Sequence, residues 1–186
     1  TSTATRTVIV EGTPAATHTI TTTLTGNNGS VTPGAVVNVT EGQNQTITIV
    51  RNPGYEITSL TVDGQVISFP YPKDGIVLAG QPLDGDYSRT FTSVTAPHTI
   101  TATFIAHADD ERWKSLTRIV AEELAQIAYA ETRVAEYPDL RGLIDGYQVV
   151  IDQAIEVRDN PSSTRRDALN SGYAIFTASE IFYEHP

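Results

Sequence analysis

Hydrophobic positions along the chain follow two different periods, and the change falls at about Ala106. Before it, "HTITTTL" (18–24), "QTITIV" (45–50) and "TITATF" (99–104) alternate Ile or Leu with Thr. Period two places Ile and Leu on one face and Thr on the other, as in half-buried strands. Turn signals separate these runs: Asn27-Asn28-Gly29, Pro33-Gly34, Glu41-Gly42, Asn52-Pro53-Gly54 and Asp63-Gly64. Glycine supplies positive φ at such corners and proline presets them. After Ala106 the apolar residues recur at three- and four-residue steps, first as Trp113, Leu116, Val120, Leu124 and Ile127. Asp109 and Asp110 are the expected N-caps of that helix, and Tyr137-Pro138 ends it. Leu140, Ile144, Tyr147, Ile151, Ala154 and Ile155 form a second stripe, which Asn160-Pro161 breaks. Ser163 or Thr164 then caps a third, with Leu169, Tyr173, Phe176 and Phe182 or Tyr183 expected on its buried face.

The expected fold class is therefore two domains. Residues 17–105 form a mainly β domain, β-grasp-like or a small β-sandwich, and 109–186 an all-α antiparallel three-helix bundle. Residues 106–108 are a linker short enough to bring the domains into contact, and 1–16 are an N-terminal arm or extra strand. The near-repetition of "HTITTTL" in "HTITATF" (98–104) raises the question of duplication. The intervening turn motifs occur only once. The two stretches are expected to be the opening and closing strands of one domain, lying side by side.

Composition narrows the partners. The 186 residues carry 12 Lys and Arg against 22 Asp and Glu, a net charge of −10. That balance argues against nucleic acid, which needs clustered cations. No apolar run approaches the ~20 residues of a membrane-spanning helix, so no membrane insertion is expected. The chain has no Cys, which excludes disulfides and thiolate zinc sites. No apolar leader or C-terminal anchor is visible, and the chain is expected to be complete from Thr1.

Residues 17–105 resemble the bacterial repeat domain related to internalin B repeats. The resemblance rests on the Pro53-Gly54-Tyr55 corner, the Val62-Asp63-Gly64 hairpin and the closing run from Phe91 to Phe104. The longer connection "SFPYPKDGIVLAGQPLDGD", 68–86, departs from that pattern. The helical half is more loosely similar to FIVAR-type three-helix modules, through "YQVVIDQAIEVRDNPSSTRRDALNSGYAIFTA" (147–178). Both resemblances imply spacer or adhesive roles in extracellular or virion-associated proteins.

No catalytic signature emerges: HExxH, Gly-x-Ser-x-Gly, phosphate-loop and dinucleotide patterns are all missing from the sequence. His18 and His98 open matching strands, but without a placed carboxylate they are expected as strand-edge polar residues rather than as a metal site. Asp74, Asp84 and Asp86 lack calcium-loop spacing. Trp113 is expected in the core or at the domain junction. The expected protein is therefore non-enzymatic, with no cofactor and no metal. It is read as a phage virion accessory component (capsid decoration or fibre-type) at the virion surface. The alternative is a bacterial cell-surface or extracellular adhesin or spacer binding host protein or glycan. Candidate contacts with other subunits, its own or those of a capsid or surface protein, are Val8, Ile9 and Val10, by strand addition to a sheet edge, and the aromatics Phe69, Tyr71 and Tyr87. A homo-oligomer or particle-bound form is expected.

Overall fold

The computed structural model describes residues 15–67 and 85–183. The first part is mostly β: β1 (Thr17–Thr25), β2 (Gly29–Thr32), β3 (Val36–Thr40), β4 (Gln45–Arg51), β5 (Tyr55–Val62), β6 (Gln65–Val66), β7 (Tyr87–Phe91) and β8 (His98–Ala106). A 3-10 turn at His107–Asp109 leads into α1 (Glu111–Arg133), α2 (Leu140–Asp159) and α3 (Arg165–Tyr183). No helix among the described residues is long and apolar enough to cross a membrane.

The strands form two sheets, β3-β1-β8-β5-β6 and β2-β4-β7. Ile20, Leu60, Ile100 and Ala102 of the first share one apolar core with Ile47, Ile49, Tyr87 and Phe91 of the second. Period-two alternation explains most of this: Ile47 and Ile49 point inward from β4 while Thr46 and Thr48 pair their hydroxyls with Thr90 and Ser88. On β1 the same period brings Thr22 inward between Ile20 and Leu24, so one Thr takes a core position. The Asp63-Gly64 turn joins β5 to β6 with positive φ at both residues (50° and 74°), the geometry of a tight two-residue hairpin.

The two similar stretches lie side by side, as expected. β1 pairs with β8 from Ile20–His98 to Thr25–Thr103, and the pairing is parallel. Parallel neighbours require a long crossover, and the rest of the β region supplies it. Chain entry at Thr17 and exit at Ala106 consequently lie at opposite ends of the sheet.

The helices share a second core built on Leu116, Val120, Ile144, Tyr147, Ile151 and Ile175. Asp110 is the N-cap of α1, accepting from the Arg112 N–H at 2.9 Å. Thr164 opens α3, exchanging hydrogen bonds with Asp167 three residues on. The first two stripes are buried largely as the period requires, although Leu124 is partly exposed. The third is buried only in part. Phe182 faces inward as expected, together with Arg165, Ala168 and Ile175, whereas Tyr173 and Phe176 are exposed. The inward face is displaced by roughly 100° from the expected one, one residue step on a helix.

Among the described glycines, Gly29 has the least room. A methyl group there would collide with the Phe104 ring and sit 2.8 Å from the Val50 carbonyl oxygen. Gly146, in the middle of α2, has open space around it. Gly29→Ala is expected to lower unfolding stability by about 1–3 kcal/mol through overpacking. Gly146→Ala should raise it by up to about 1 kcal/mol. Urea denaturation of the two variants measures both.

Candidate functional site

Polar groups converge where the β and helical regions meet. The Pro53-Gly54-Tyr55 corner approaches the turn before α3, and the Gly54 N–H donates to the Pro161 carbonyl at 2.6 Å. The His107 N–H donates to the Gly54 carbonyl at 2.8 Å. Gly54 holds φ of 84°, which a side chain would oppose. Arg51, ending β4, donates to the Tyr55 carbonyl at 2.9 Å and to the Ser162 carbonyl at 2.8 Å.

Beneath this corner lies a buried ionic group. Glu56 is 1% exposed and Asp110 2%. Arg165, the first residue of α3, reaches the Asp110 carboxylate through Nε and Nη2, each at 2.9 Å. Its Nη1 donates to the Ile57 carbonyl of β5 at 2.9 Å. One guanidinium therefore ties the starts of α1 and α3 to the larger sheet. Glu56 Oε1 lies 3.5 Å from Arg51 and 3.6 Å from His107 Nε2. The His107 ring stacks on Trp113, centroids 3.8 Å apart, which places Trp113 at the junction.

These groups carry set charges. Burial alone would raise the Asp110 carboxyl, but the Arg112 N–H and the Arg165 guanidinium override it and hold it below the ordinary range. Burial pushes His107 down from 6.5 to about 4, with the cations of Arg51 and Arg165 adding to it and Asp110 opposing. At neutral pH His107 is an uncharged ring. An Asp held ionised by arginines and closed to solvent is a poor proton donor or acceptor for any substrate. The chemistry of this cluster is orientation: it fixes the two regions against each other.

Other residues singled out in the sequence fall elsewhere. His98 Nδ1 is 2.7 Å from Asp63 Oδ2, and its ring packs on Phe91. His18 Nε2 is 4.0 Å from Glu41. The two histidines thus lie beside different carboxylates, only His98 within hydrogen-bond distance, and no group of three or more metal-ligating side chains occurs among the described residues. Asp86 accepts from the Arg51 N–H at 3.0 Å. Tyr87, expected at a contact surface, is 5% exposed and belongs to the β core. It stands opposite Ile49 on β4, and that register turns its ring inward. Val8, Ile9, Val10, Phe69, Tyr71, Asp74 and Asp84 lie outside the described residues.

The displaced phase of α3 leaves an apolar groove between α1 and α3. It encloses about 370 Å³ and is lined by Leu116, Ile119, Leu169, Gly172, Tyr173 and Phe176. Phe176 is 62% exposed, and a side chain placed at Gly172 would meet nothing within 4 Å. Comparison with protein-family models, with curated proteins and with solved structures gave no match.

The ionic junction has measurable consequences. Arg165→Met removes the buried guanidinium and leaves Asp110 with only the partly exposed Arg112, 3.3 Å away, and should cost about 3 kcal/mol in urea denaturation. His107 is harder to protonate folded than unfolded, so the unfolded chain binds the extra proton between pH 6.5 and about 4. Stability should therefore fall as pH drops through that window, by roughly 3 kcal/mol, and His107→Gln should flatten the slope.

Proposed function

We propose that this chain is a non-enzymatic structural protein that assembles through protein–protein contacts, with a second copy seated at the α1–α3 groove. Its finer architecture is read as a small β-sandwich module followed by an antiparallel three-helix bundle. One observation carries the proposal: α3 presents a projecting Phe176 one turn from the open pit at Gly172. A surface with both knob and hole suits a two-fold contact, in which each copy fills the other's pit. The groove's lining holds no carboxylate, although the chain has 22 Asp and Glu. Two copies of net charge −10 meet there with the least like-charge repulsion.

Within this class, the sequence resemblances favour a virion accessory role, a capsid decoration or fibre-type component at the particle surface. A second reading, a spacer or adhesin module at a bacterial surface, draws support from the β region's entry and exit at opposite ends. Such a layout suits modules strung in series.

Native mass by light scattering after size exclusion is expected to show a dimer or larger assembly. Phe176→Asp and Gly172→Gln should each reduce it to monomer while leaving the circular dichroism unchanged. A wild-type chain that stays monomeric at millimolar concentration overturns the groove assignment.

A further inference from the structure

A second concavity lies where α1 ends and α3 ends. It encloses about 210 Å³ and is rimmed by Gln126, Tyr129, Arg133, Tyr137 and Tyr183. Ala130, Leu140 and Phe182 line the rest. Three tyrosines meet here although each is substantially exposed: Tyr129 61%, Tyr137 43% and Tyr183 52%.

An exposed tyrosine ordinarily samples several rotamers, yet each of these rings has a polar or cationic partner. Arg133 Nη1 donates to the Tyr129 hydroxyl at 3.1 Å. The same guanidinium lies 5.2 Å from the Tyr137 ring centre, and Glu136 holds it in turn at 3.1 Å. The Tyr183 hydroxyl donates to Glu123 Oε2 at 2.6 Å. Aromatic surface that is both exposed and held in place has already lost the rotamer freedom that binding would otherwise remove.

The charges narrow the ligand. Arg133 at the rim opposes a cationic guest, while Glu123, Glu136 and the net charge of −10 oppose an anionic one. A neutral molecule remains, with flat apolar faces for the rings and hydroxyls for Gln126 and the tyrosine oxygens. A pyranose has both. The volume is below the ~300 Å³ of drug-sized sites and suits a single sugar ring. Ala130 and Phe182 are buried in the helical core and offer an apolar floor for a methyl group.

We propose that the Tyr129–Arg133–Tyr137–Tyr183 pocket binds a neutral N-acetylhexosamine unit, with the tyrosine rings against the sugar faces and the acetamido methyl on the Ala130–Phe182 floor. The site is separate from the α1–α3 groove and stands or falls independently of assembly.

Saturation-transfer NMR of the full chain tests it, using the methyl glycosides of N-acetylglucosamine, glucose and galactose at millimolar concentration. Transfer is expected to the acetyl methyl and ring protons of the N-acetylglucosaminide, above that to the other two. Tyr129→Ala and Tyr183→Ala should each weaken binding roughly fivefold or more, as loss of a central aromatic contact does. Tyr183→Phe, which keeps the ring and loses the Glu123 contact, should weaken it less, and Phe176→Ala in the other groove should leave it unchanged. No transfer to any of the three sugars overturns the site. So does undiminished transfer in a folded Tyr129→Ala/Tyr183→Ala double variant. Equal transfer to all three sugars overturns the acetamide assignment.

Discussion

The buried pair between Arg165 and Asp110 anchors the junction of the two regions, beside the contacts of Gly54 with Pro161 and of Arg51 with Ser162. Asp110 caps α1 and receives the guanidinium of α3's first residue, which also donates to Ile57 on β5. Removing two charges from water is expensive, and such a pair contributes little net stability compared with apolar residues of similar size. What it contributes here is geometry. The alternatives in which α1 or α3 rotates would break the buried pair and leave the Arg165 guanidinium without its carboxylate.

The same pair explains which parts of the fold were legible beforehand. Strand alternation, the Asp63-Gly64 hairpin, the caps at Asp110 and Thr164 and the break at Asn160-Pro161 depend on neighbours a few residues away. The phase of α3 does not. Periodicity alone favours Leu169, Tyr173 and Phe176 as the inner face, because they recur at four- and three-residue steps. Arg165 must point inward to meet Asp110, 55 residues earlier in the chain, and the helix turns with it so that Ala168, Ile175 and Phe182 follow. Arg51 and Glu56 are not legible in the sequence for a related reason: isolated charges in strand-rich sequence carry no sign of burial. The position of Tyr87 beside a polar connection suggests a surface residue, and only its register with Ile49 on β4 reveals that it is buried. The pocket tyrosines come from two helices and the loop between α1 and α2, and only the tertiary fold assembles them.

The exposed aromatics divide into two kinds. Phe176 and Tyr173 stand beside open space at Gly172, a surface that can adjust to a large partner. Tyr129 and Tyr183 are tied by Arg133 and Glu123, a surface with its shape set in advance. Both kinds offer apolar contact area on a chain of net charge −10.

The parallel pairing of β1 with β8 has a mechanical meaning. Tension applied between Thr17 and Ala106 runs along the two strands, across every hydrogen bond of their shared ladder. The bonds from Ile20–His98 to Thr25–Thr103 are then loaded in shear and must yield together, whereas an antiparallel hairpin pulled from its ends unzips one bond at a time. The strands that begin and end the β region form its longitudinal clamp.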